Sequence, residues 1–82
     1  MPTTIGPYHV TGVLGRGGMG VVYRGVEPTG ERVVAIKTLV DESAGLAASL
    51  RREIRALSRL DHPAVARILG EGVDDGVPWY AM

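Results

Sequence analysis

Four glycines crowd into the stretch LGRGGMGVVYRG (residues 14–25), at Gly15, Gly17, Gly18 and Gly20, and β-branched and aromatic residues come directly after them. Glycine loses more backbone freedom on folding than any other residue, so such a cluster is costly unless the chain needs a backbone that no side chain shields. The β-prone runs Tyr8–Leu14 and Val21–Glu27 on either side make the cluster the tip of a hairpin. The residues after the cluster exclude two helix-based phosphate sites. A dinucleotide fingerprint opens a helix after its glycines, whereas Val21-Val22-Tyr23 continues as a strand. A Walker-type loop needs Gly-Lys followed by Ser or Thr, and no such dipeptide occurs. There remains a hairpin that can lie over a ligand and offer amide N–H groups to phosphate oxygens, or, on the plainer reading, a flexible tip.

Beyond the hairpin, Pro28-Thr29-Gly30 turns the chain into a third strand, Arg32–Val40, which completes an antiparallel meander. The apolar period then changes. Leu46, Leu50, Ile54, Leu57 and Leu60 keep helical spacing, with Ser43 available as N-cap and Pro63 as a stop. Val65–Leu69 and Val77–Met82 read as two further strands, separated by the turn Asp74-Asp75-Gly76, with Pro78 suggesting a partly edge position for the last. The expected class is α+β: a five-stranded antiparallel sheet with one main helix between strands 3 and 4.

At 82 residues the chain has room for one thin core, since a domain of that size buries only about 60% of the surface its unfolded chain exposes. Nine basic and nine acidic residues cancel, which argues against a general attraction to nucleic acid or an anionic membrane. Any bound anion must be held locally. The absence of cysteine removes disulfides and thiolate metal sites, and no secretory leader or membrane-spanning run is evident. The expectation is a soluble, cytoplasmic domain. The two histidines are too far apart to form a metal motif.

A second feature is independent of the glycines. Lys37 is the sole lysine, inside the apolar run VVAIKTLV, and a period of two places it on one face with Val33, Ala35 and Leu39. An unpaired ammonium there is expensive, unless the strand lies at an edge and the side chain reaches water. On the helix, Leu46, Leu50, Leu57 and Leu60 lie within about 60° of Glu53 around the axis. Arg51, Arg52, Arg55 and Arg59 lie on the far side. A carboxylate in an apolar stripe needs a cation, and Lys37 is the candidate, the alternative being that Glu53 bends to solvent at the stripe's margin.

Glycine hairpin, strand lysine and helix glutamate, in this order and spacing, resemble the N-terminal lobe of a eukaryotic-like protein kinase, most closely the bacterial Hanks-type serine/threonine kinases. The matching pieces are LGRGGMGVVY, VVAIK, RREIRALSRLDHPAVARIL and PWYAM. The resemblance runs from Tyr8 to Met82, with residues 1–7 as a leader, and implies a protein-kinase-like small lobe that stops before the hinge. It implies that Leu14, Gly15, Arg16, Gly17, Gly18, Met19, Gly20, Val22, Ala35, Lys37 and Met82 bind ATP. The glycines would cover the phosphates, while Leu14, Val22 and Ala35 would pack on the adenine. Lys37 would contact the α- and β-phosphates, positioned by Glu53 as the second catalytic residue, and Met82 would stand as gatekeeper. Leu57 and Ile68 match apolar positions between helix and sheet. The sequence holds no H-R-D or D-F-G motif, so Mg²⁺ and the protein substrate are expected on a missing large lobe, and this chain alone is expected to be inactive. Self-association through uncovered apolar surface is a further expectation. A noncatalytic interaction module derived from a kinase is the alternative function.

Overall fold

The computed structural model describes residues 2–17, 20–39, 44–59 and 68–82, without the side chains of Ala44, Leu57 and Ser58. Within them the chain runs β1 (Thr4–Ile5), β2 (Tyr8–Arg16), β3 (Gly20–Val26), β4 (Val33–Leu39), α1 (Ala44–Arg59), β5 (Gly70–Asp74) and β6 (Val77–Ala81). The strands form one sheet in the order β1-β2-β3-β4-β6-β5, antiparallel throughout. The expected α+β class, meander and single helix are present. Gly18, Met19, the N-cap Ser43, Leu60, Pro63 and the segment 65–67 lie outside the described residues, as does the side chain of Leu57.

Three expectations are corrected. The sheet has six strands rather than five, because Thr4 and Ile5, inside the expected leader, pair with His9 and Tyr8. Gly6 makes that turn possible with a left-handed φ of 54°, and Ile5 is buried in the core. The fourth long strand is Gly70–Asp74, and Ile68 and Leu69, the described part of the expected strand, come before it rather than within it. Asp75 and Gly76 both have positive φ, 49° and 79°, the geometry of a two-residue hairpin turn. Such a turn pairs Asp74 directly with Val77, so β5 must run up to it. Finally, β6 is an interior strand between β4 and β5. Pro78 is tolerated there because the β4 ladder ends at Thr38 opposite Trp79, so no partner on that side requires its missing N–H.

The sheet is strongly curled. A flat sheet would hold β2 and β6 about 14 Å apart, three strand spacings, yet the rings of Tyr8 and Trp79 meet edge-to-face at 5.8 Å. The curl also brings the Gly6 amide against Asp74, donating to its carboxylate at 2.9 Å. Inside the curl lie Ile5, Tyr8, Val21, Tyr23, Val34, Ile36, Trp79 and Ala81. Val34, Ile36 and Thr38 of β4 are buried. The alternate residues of that strand share the opposite face, the one carrying Lys37. A second cluster joins α1 to the sheet: Leu50, Ile54 and Tyr80 are buried together, with Leu39, Ile68 and Met82 packed around them.

Candidate functional site

β4 carries Lys37 into register with Val22 of β3 on one side and Tyr80 of β6 on the other. Above it, α1 presents Glu53 between the buried Leu50 and Ile54, while Arg51, Arg52, Arg55 and Arg59 are exposed as the helical spacing requires. Lys37 Nζ donates to Glu53 Oε1 at 3.0 Å. Both side chains keep more than a third of their surface, 35% for Lys37 and 39% for Glu53. The pair is therefore half-solvated, and one face of the ammonium is available to a ligand. The other carboxylate oxygen, Oε2, accepts a hydrogen bond of 2.8 Å from the hydroxyl of Tyr80. Burial raises the ionisation of that phenol well above its ordinary range, and the hydrogen bond to Glu53 and its charge add to the rise. Tyr80 is thus a neutral donor at physiological pH.

A cavity of about 690 Å³ opens between the glycine hairpin and α1, lined by Gly15, Arg16, Gly17, Gly20, Val21, Val22, Lys37, Leu39, Leu46, Ser49, Leu50 and Glu53. Of the residues expected from sequence, Gly15, Arg16, Gly17, Gly20, Val22, Lys37 and Glu53 converge here. Leu14, Ala35 and Met82 do not line it. Leu14 is the extra residue where β2 shifts register between Val13 and Gly15, and it is 59% exposed. Ala35 and Met82 exchange backbone hydrogen bonds of 2.9 and 2.8 Å, which extend the β4–β6 pairing past Ala81, and Met82 packs toward the helix cluster.

The glycines divide by what a side chain would meet. At Gly20 a Cβ would lie 2.8 Å from the backbone oxygen of Thr38, so that position serves the close approach of β3 to β4. At Gly15 and Gly17 it would meet nothing within 4 Å. Packing among the described residues does not demand glycine there. The hairpin is closed by Gly17 N–H donating to Gly20 O at 2.9 Å, so its bare backbone borders the same space as the Lys37 ammonium. A hydrogen-bonding backbone and the two cationic side chains at the cavity, Arg16 and Lys37, suit an extended polyanion. Among the described residues no group of three or more His, Asp or Glu side chains is gathered that could hold a metal ion.

This arrangement has a counterpart in known sequences. The pattern of the family described as protein kinase domain matches residues 8–75. The chain belongs to the protein kinase domain family. It is 46% identical over 70 residues to the serine/threonine-protein kinase pkn2 of Myxococcus xanthus, covering 82% of this chain and 8% of that protein. It is 39% identical over 80 residues to the serine/threonine-protein kinase PknH of Mycobacterium tuberculosis, covering 94% of this chain and 13% of that one. The solved Mycobacterium tuberculosis PknI kinase domain superposes with a TM-score of 0.74 at 28% identity, over 100% of this chain and 35% of that chain. The apo form of PpkA-294, at 24% identity and a TM-score of 0.78, is alike in fold. The chain thus spans a small part of its curated relatives and about a third of the solved kinase chains, and it matches the small lobe of the kinase fold.

Tyr80 is not legible as a site residue in the sequence. The signal that finds it is register: once β6 pairs with β4, the residue opposite the lone lysine shares its face.

Proposed function

We propose that this chain, with the Thr4–Ile5 strand as part of its sheet, forms the ATP-binding small lobe of a serine/threonine protein kinase and works as a cytoplasmic domain. The observation that carries the reading is the Lys37–Glu53 ion pair of 3.0 Å bordering a cavity edged by Gly15 and Gly17, where packing among the described residues does not require glycine. ATP, when bound, supplies the γ-phosphoryl group for transfer to a protein hydroxyl. The chain's own residues bind and orient. The Lys37 ammonium neutralises phosphate oxygens, and Glu53 holds that ammonium in place. The hairpin from Gly15 to Gly20, including Arg16, Gly18 and Met19, covers the phosphates and excludes water. Leu14, Val22 and Ala35 take the adenine, with Met82 behind it, beside the cavity rather than within it, since of these four residues only Val22 lines the cavity. Mg²⁺ and the protein substrate fall to the remainder of a kinase domain, because these residues contain no acidic catalytic or metal-binding motif. On this reading the 82 residues by themselves transfer no phosphate.

Titration of the chain with a fluorescent ATP analogue tests the proposal. Saturable binding is expected, with a loss of at least about tenfold on Lys37→Met. No saturation at millimolar analogue, or equal affinity of the two proteins, overturns it.

A further inference from the structure

Resting on the nucleotide-site reading, we propose that Tyr80 is a positioning residue for the Lys37–Glu53 pair, holding the carboxylate by its second oxygen so that α1 is fastened to two strands at once. Glu53 Oε1 takes the Lys37 ammonium at 3.0 Å and Oε2 takes the Tyr80 hydroxyl at 2.8 Å. Lys37 and Tyr80 face each other across the β4–β6 ladder, so one carboxylate bridges neighbouring residues of adjacent strands.

The two contacts are unequal. Lys37 and Glu53 are 35% and 39% exposed, and an ion pair so open to water is weakly held and gives up much side-chain freedom to form. Tyr80 is 3% exposed, has two side-chain torsions to fix, and donates to an ionised acceptor, which makes the stronger kind of hydrogen bond. Its ring shares a buried cluster with Leu50 and Ile54. With Glu53 these are three positions of one helix face. One side chain therefore sets the depth of α1 through its ring and the direction of Glu53 through its hydroxyl. Tyr80 does not line the cavity, so it acts through Glu53. Phenol chemistry is required for this; an aliphatic residue of similar bulk would pack against the helix without fixing the carboxylate.

A double-mutant cycle on the chain decides it, with ATP-analogue affinity as one readout. Tyr80→Phe, which keeps the ring, is expected to weaken binding roughly fivefold. In a Glu53→Ala background the same change is expected to have no effect. Equal losses in both backgrounds, or none in either, overturn the proposal in favour of simple packing. The second readout needs no nucleotide. Lys37 is the only lysine, so lysine-labelled protein gives a single side-chain ammonium nitrogen signal, and Tyr80→Phe is expected to shift or broaden it. If the wild type binds no analogue yet this signal moves, the nucleotide reading fails and the positioning role stands. If the analogue binds and Tyr80→Phe moves neither affinity nor signal, the positioning role alone fails.

Discussion

Two alanine substitutions in the same hairpin should separate a glycine needed by the fold from one needed by a ligand. At Gly20 the added methyl would sit 2.8 Å from Thr38 O, a backbone atom of the neighbouring strand that cannot rotate away. Overpacking of this kind costs about 1–3 kcal/mol, offset by about 0.5–1 kcal/mol from replacing a strand glycine with alanine. The expected net loss for Gly20→Ala is about 1 kcal/mol, or a fall of about 4–8 °C in Tm for a domain of this size. At Gly17 the methyl would meet nothing within 4 Å, so Gly17→Ala should unfold at the wild-type urea concentration or slightly above it. It should nevertheless bind the ATP analogue about tenfold more weakly, as expected for one charge-assisted amide contact blocked. Urea unfolding followed by circular dichroism, run beside the analogue titration, reads both quantities. Wild-type stability in Gly20→Ala together with wild-type affinity in Gly17→Ala would refute the division.

Other perturbations act on single contacts. Gly6 combines a φ of 54° with a Trp79 ring occupying the place of its Cβ; Gly6→Ala should cost about 3 kcal/mol, readable in the fluorescence of the only tryptophan. Thr38 is buried and donates to Pro78 O at 2.9 Å, so Thr38→Val should cost about 1 kcal/mol by denaturant titration. Because the folded state raises the ionisation of the Tyr80 phenol, the stability tied to its neutral form is complete below the unfolded value of about 10 and is lost as pH rises beyond it. Alkaline unfolding curves of Tyr80→Phe should lack that component, and an unchanged pH dependence would count against the hydrogen bond.

Much of the site is legible in local pattern. A period of two puts Lys37 on the face opposite Val34 and Ile36, and helical spacing turns Glu53 inward between Leu50 and Ile54. Both rules act over a few residues and need no knowledge of the rest of the chain. Expectation and structure part where pairing between distant segments decides. GEGVD has little intrinsic strand character, and it becomes β5 because the Asp75-Gly76 turn lays it against β6. The turn itself is plain in the sequence, but its hold over residues 70–74 depends on β6 being there to pair with. Tyr80 requires the β4–β6 alignment, which joins residues more than forty positions apart. The Thr4–Ile5 strand is too short for any periodicity and is fixed by Gly6 and by burial of Ile5.

The two apolar clusters lie on different sides of the sheet, and among the described residues the one inside the curl contains none of α1. Among the described residues the helix is joined to the strands by the patch of Leu50, Ile54 and Tyr80 and by one shared carboxylate, so the core of the rolled strands does not draw on the helix. A load on the outer surface of the helix would therefore fall first on the carboxylate that holds the lone ammonium, and only then on the packing within the roll.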